Sequence, residues 1–175
     1  MTGLHEPWKS FLSEIDESLT EQVDLHCIGG FPLTEFYGIP RGTMDIDFLT
    51  VVPSSCRQLL NDIAGLGSPL SKKHRAYLQG VGVADHPEDY DTRLTELPGS
   101  FRHLRLWMAD PYDLLLSKLT RNSAKDREDV KAVAAKLELS FSVIEERFEE
   151  EMKPWLPNLA RHELTLKLWK EYFPN

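Results

Sequence analysis

The chain has 175 residues, of which 41% are apolar and 27% charged, and its formal net charge is -8 at neutral pH. That length and balance predict one globular domain whose core is large enough to need neither a disulfide nor a structural metal. The acidic balance argues against a protein that coats duplex DNA, because such binders draw their affinity from Lys and Arg neutralising phosphates.

Cys27 and Cys56 lie far apart with no Cys-x-x-Cys spacing, so neither a disulfide framework nor a zinc site is expected, and a reducing cytoplasm is the expected compartment. The N-terminal stretch from Met1 to Pro7 lacks a basic region followed by an apolar run, and no segment has the roughly 18 apolar residues of a membrane span. Lys72-Lys73-His74-Arg75, and later Lys118, Arg121, Lys125 and Arg127, are candidates for a local basic cleft, although solvated surface charge is the commoner fate of such groups.

Trp8, Phe11, Leu12, Ile15 and Leu19 recur at helical spacing and predict an amphipathic helix. A strand is expected from Val23 to Ile28, ending at Gly29-Gly30. A helix of about two turns from Pro32 to Tyr37 follows it. After Gly38, Pro40 and Gly42, the β-branched and aromatic run Asp45 to Val52 predicts a second strand, closed by Pro53. Ser54 or Ser55 then caps a helix carrying Leu59, Leu60, Ile63 and Ala64, which Gly65 to Pro69 breaks.

Further strands are expected at Tyr77 to Ala84 and Phe101 to Met108, separated by an acidic, proline-marked loop at 85–91. Asp110-Pro111 predicts a cap with Pro at the first helical position, opening a helix through Leu119. A turn at Asn122-Ser123 ends it. Three more helices are expected, over Lys125 to Leu137, Ser142 to Met152 and Arg161 to Tyr172. The order predicts an α+β fold: a small mixed β-sheet with flanking helices, then C-terminal helices. One domain is expected over 1–175, with a sheet core at 1–109 and a helical part at 110–175.

Asp45 and Asp47 are two apart on a predicted strand, so both carboxylates point to one face while Ile46 points to the other. Oxygen donors of this kind suit Mg²⁺ or Mn²⁺, which assists phosphoryl-type transfer. Gly29-Gly30, between a strand and a helix, lets backbone N–H groups approach a phosphate chain closely; its plain alternative is a tight turn. His26, His74, His86 and His103 have no metal-ligand spacing and no Ser or Cys partner in a nucleophile motif.

Ile28-Gly29-Gly30-Phe31, then Tyr37-Gly38, then Arg41 to Leu49 with its Thr43 and Asp-x-Asp, resembles the signature of polymerase-β-like nucleotidyltransferases. Asp110-Pro111-Tyr112-Asp113-Leu114 through Lys118, with Lys125 to Val130, is similar to a downstream Lys and Asp-x-x-Asp motif of small bacterial nucleotidyltransferase-like proteins, and more distantly to AbiE-type toxins. The acidic segment Asp89 to Leu94 resembles the same branch. The resemblance implies transfer of an NMP from an NTP, with pyrophosphate released, to an RNA, protein or small-molecule acceptor.

On that reading Asp45 and Asp47 are metal ligands, and Gly29 and Gly30 are the backbone that meets phosphate. Arg41 and Thr43 either contact phosphate or shape the turn. Lys118 reaches the triphosphate or joins Asp126 and Asp129 in a structural ion-pair network; those two acids lie on one helix face and otherwise orient a base or the substrate. The superfamily's third carboxylate has no counterpart within Gly80 to Ala84. Asp85 is the expected substitute, on the face of Val81 and Val83, with Asp89 and Asp91 more remote. The alternatives are a nucleotide-binding or regulatory module without turnover, and a toxin silenced by an antitoxin-like protein.

Overall fold

The first helix, α1 (Trp8–Ser18), buries Trp8, Phe11, Leu12 and Ile15 as its spacing predicts, and also buries Asp16. The computed structural model describes residues 3–82, 84–99 and 101–174. It divides into two compact units, residues 1–83 with 94–109, and residues 84–93 with 110–175.

In the first unit, β1 (Val23–Ile28), β2 (Asp45–Val52), β3 (Tyr77–Gly80), β4 (Thr95–Glu96) and β5 (Leu104–Met108) form a mixed sheet of order β3-β2-β1-β5-β4. The central strand β1 runs antiparallel to β2 and parallel to β5. The outer pairs are β2 with β3, parallel, and β5 with β4, antiparallel. Val23, Leu25, Cys27, Ile46, Phe48, Leu104, Leu106 and Met108 join the α1 residues in one apolar core. Leu60 and Ala64 of α2 (Cys56–Ala64) complete that layer.

The inward residues of β2 are out of phase with one another, since Ile46 and Phe48 have even numbers and Val51 an odd one. A register shift resolves this: Thr50 pairs with His26 and Phe48 with Cys27, so Leu49 stands opposite no residue. One extra residue in one strand restores the inward face on both sides of the bulge. Asp45 and Asp47 precede the bulge and lie together on the opposite face by strand alternation, both half-buried.

Three local readings are corrected. The third strand stops at Gly80 rather than Ala84: Gly80 and Gly82 bring no side chain to pack, and Pro87 follows. Val83 lies outside the described residues. The fifth strand begins at Leu104 rather than Phe101, and the stretch read as a break contains a helix, α3 (Pro69–His74). There the Ser68 side chain accepts from Ser71 N–H and Pro69 opens the helix, a start signal hidden among turn residues. Within the basic run after it, Lys73 and His74 both engage Glu14, at 2.7 and 3.0 Å.

Asp16 explains where β5 begins. Its carboxylate accepts the backbone N–H groups of Arg102, His103 and Leu104 at 2.8, 2.7 and 2.8 Å. Burial pushes its pKa up, but the three N–H bonds outweigh burial and hold it below the ordinary aspartate value. Asp16→Ala is expected to cost about 3 kcal/mol in urea unfolding, since three backbone donors lose a charged acceptor. A carboxyl whose pKa is depressed on folding contributes stability that is fully present above its unfolded pKa and fades as pH falls through the folded one. The difference between wild type and Asp16→Ala therefore shrinks below about pH 4, and a difference that grew there would contradict the assignment.

The second unit contains α4 (Pro111–Leu116), α5 (Ala124–Lys136), α6 (Phe141–Arg147) and α7 (Leu159–Trp169). Asp110 caps α4 by accepting Tyr112 N–H, and Pro111 opens the helix as expected. Helix α4 is shorter than its apolar run because turns replace it beyond Leu116. Helices α6 and α7 continue as a wider turn at Phe148–Met152 and a tighter one at Lys170–Tyr172. The chain thus has the α+β fold with C-terminal helices. No helix among the described residues is long and apolar enough to cross a membrane.

Candidate functional site

The site in the first unit forms where β1 ends and β2 begins. Ile28 is paired with Asp47 across the two strands, so the turn at Gly29-Gly30 leaves the sheet directly beside the second aspartate. Gly29 has φ +74°, a region that side-chain-bearing residues adopt only with strain. A Cβ placed there would lie 2.5 Å from Asp47 Oδ2, so the backbone approaches the carboxylate more closely than any other residue type allows.

Gly30 repeats the close approach against the segment entering β2. Its Cβ would lie 3.0 Å from Thr43 Oγ1 and 3.3 Å from the guanidinium carbon of Arg41. The chain then turns into a short helical segment, Pro32–Phe36, closed by Tyr37 N–H on the Pro32 carbonyl. Tyr37 Oη donates to the Ala109 carbonyl at 2.9 Å, which ties that segment to the end of β5. Gly29, Gly30, Arg41, Thr43, Asp45 and Asp47 are therefore brought together by one strand pair and the two loops that flank it.

Thr43 Oγ1 donates to Asp45 Oδ1 at 2.7 Å, which places the threonine on a carboxylate. Tyr77, opposite Asp45 on β3, donates its hydroxyl toward Asp45 Oδ2 at 3.4 Å. Burial first, then the Asp45 charge, raises the tyrosine pKa above its ordinary value. Sequence reasoning missed Tyr77 because its role depends on the parallel register of β2 and β3. The usable signal was its place at the start of a strand following a helical crossover from the aspartate strand. Cys27 is fully buried, and burial, reinforced by the Asp47 charge, pushes its thiol far above the ordinary range, so it is no nucleophile.

Two half-buried carboxylates on one face, with a turn that keeps side chains away from one of them, form a donor set of the hard-oxygen type that suits Mg²⁺ or Mn²⁺. Among the described residues no group of three or more His, Cys, Asp or Glu is arranged to hold a metal ion. Mg²⁺ is commonly held by one or two carboxylates with phosphate oxygens and water filling the rest of its shell, so a pair fits. Asp85 follows the shortened β3 by five residues, so strand alternation no longer sets it on the face of Asp45 and Asp47; the segment 84–93 belongs to the second unit.

In the second unit Lys118, Asp126 and Asp129 form a buried cluster. Lys118 is 4% exposed, with Nζ 2.9 Å from Asp129 Oδ2 and 3.6 Å from Asp126 Oδ1. Asp126 also accepts from Arg121 and closes a capping box with Ser123 at the start of α5. Burial raises its pKa, yet Arg121 and the Ser123 hydroxyl and N–H more than offset that and hold it well below the ordinary range.

A second network joins Arg93 to Asp113 and Glu151, and Arg147 to Asp110 and Asp113. Asp89 N–H donates to Glu151 at 3.0 Å. The acidic segment resembling the bacterial branch is thus fastened to the helices of its own unit. Burial keeps the Asp113 carboxyl above its ordinary pKa despite both arginines.

A mixed sheet whose second strand carries paired carboxylates beside a glycine turn agrees with the resemblance to nucleotidyltransferases. Residues 9–174 match a family described as "Nucleotidyltransferase of unknown function (DUF6036)", and the chain belongs to that family. No curated protein and no solved structure matches it at a significant level.

Proposed function

We propose that the chain transfers an NMP from an NTP to an acceptor, with Mg²⁺ or Mn²⁺ held by Asp45 and Asp47. An acceptor oxygen forms a bond to the α-phosphorus, the bond from that phosphorus to the bridging oxygen breaks, and pyrophosphate leaves with the electron pair. The acceptor's proton passes to solvent or a neighbouring base. The ion, when bound, neutralises charge on the phosphate oxygens.

The observation that carries this reading is the contact between the Gly29 backbone and the Asp47 carboxylate, which sets the glycine turn at the end of β1 directly beside the proposed metal ligands. Gly29 and Gly30 are the backbone that meets the phosphates, and Arg41, packed over Gly30, supplies positive charge beside them. Thr43 orients Asp45. The net charge of -8 favours a short RNA region, a protein or a small molecule over duplex DNA as acceptor.

The test incubates the protein with each α-labelled NTP and total RNA or cell-extract protein, with Mg²⁺, with Mn²⁺ and with chelator. Label is expected to move onto one acceptor class only when the ion is present. Nucleotide binding without transfer in any combination would replace this reading with a binding module, the outcome that the two-carboxylate donor set would then explain.

A further inference from the structure

The two oxygens of Asp45 meet donors from two different elements. Thr43, in the loop entering β2, donates to Oδ1 at 2.7 Å; Tyr77, on the parallel neighbour β3, reaches Oδ2 at 3.4 Å. The strand register sets Tyr77 directly opposite Asp45, so its position follows from the sheet and not from a mobile loop. Thr43 is fixed in turn by Gly30, against which its Oγ1 and Cβ are tightly packed.

A lone carboxylate on a strand samples several side-chain rotamers. With a donor on each oxygen, one orientation is selected, and each oxygen keeps a remaining lone pair for a cation. We propose that Thr43 and Tyr77 are positioning residues that clamp Asp45 in the orientation that receives the divalent cation. This rests on the metal-dependent reading of the site and adds to it a residue, Tyr77, that binds neither nucleotide nor ion.

Partners that orient metal ligands typically change affinity by about 10–100-fold when removed. The test measures Mn²⁺ binding to the full chain by the loss of the free-ion paramagnetic signal. It compares wild type, Tyr77→Phe, Thr43→Val, Thr43→Ser and Asp45→Ala/Asp47→Ala, each checked for an unchanged melting profile. Tyr77→Phe and Thr43→Val are expected to weaken binding about tenfold, while Thr43→Ser, which keeps the hydroxyl, stays near wild type. Mn²⁺ is also expected to produce a tyrosine difference spectrum in wild type that Tyr77→Phe lacks, a signature that a merely packing role would not give.

Equal Mn²⁺ affinity in wild type, Tyr77→Phe and Thr43→Val would overturn the clamp while leaving the metal site intact. Wild type binding no more Mn²⁺ than the double-alanine variant would overturn the metal reading and the clamp with it. Should Tyr77→Phe fail to fold, the Thr43→Val and Thr43→Ser pair decides the matter alone.

Discussion

Asp45→Ala/Asp47→Ala is expected to transfer label at least about 10³-fold more slowly than wild type, while melting within a few degrees of it. The rate loss follows from removing both proposed ligands: a metal ion supplies several kcal/mol of transition-state stabilisation, and each 1.36 kcal/mol is tenfold in rate. The small effect on stability follows from the same geometry. Both side chains sit half-buried on the face of β2 opposite the core, where Ile46 and Phe48 are 0% and 3% exposed. Removing two like charges from one face relieves repulsion, which offsets the modest cost of alanine in a strand. A double variant transferring within about tenfold of wild type would end the case for these carboxylates as ligands.

Lys118→Met is expected to lower unfolding stability by about 3–5 kcal/mol, because it leaves a buried carboxylate without its cation. The Lys118, Asp126 and Asp129 side chains are only 5%, 1% and 8% exposed, so water does not replace what is removed. Asp126 retains Arg121 and Ser123, so the loss falls mainly on Asp129. Adding Asp129→Asn to Lys118→Met should therefore recover part of the deficit. Arg121→Ala, at a side chain 71% exposed, should cost about 1 kcal/mol or less. Urea unfolding checks all three, and a Lys118→Met deficit under about 1 kcal/mol would remove the cluster as a stabilising element.

Much of the fold was legible because its strongest signals are local. The strands Val23–Ile28 and Asp45–Val52 were bounded by glycine, proline and β-branched runs, and Trp8 to Ile15 by helical spacing. Asp45 and Asp47 share a face through alternation alone. What the sequence could not give depends on pairing. The bulge at Leu49 in the pairing of β1 with β2, the meeting of Tyr77 with Asp45, and the anchoring of β5 by Asp16 all join residues far apart in the chain. The missed helix at Pro69–His74 had a different cause: Ser68 and Pro69 serve equally as loop residues and as helix starters, and six residues are too few to show a period.

The division of the chain has a consequence for its biosynthesis. Residues 84–93 leave the first unit before 94–109 return to it, so the sheet is built from a discontinuous sequence. The strand β1 emerges early, yet its parallel partner β5 follows about eighty residues later. Until then one edge of what becomes the central strand has exposed backbone donors and acceptors, a template for pairing with another nascent chain. A fragment ending at residue 83 keeps that edge permanently open, whereas one ending after β5 closes it. For expression trials the sheet should be treated as complete only once residue 109 is included.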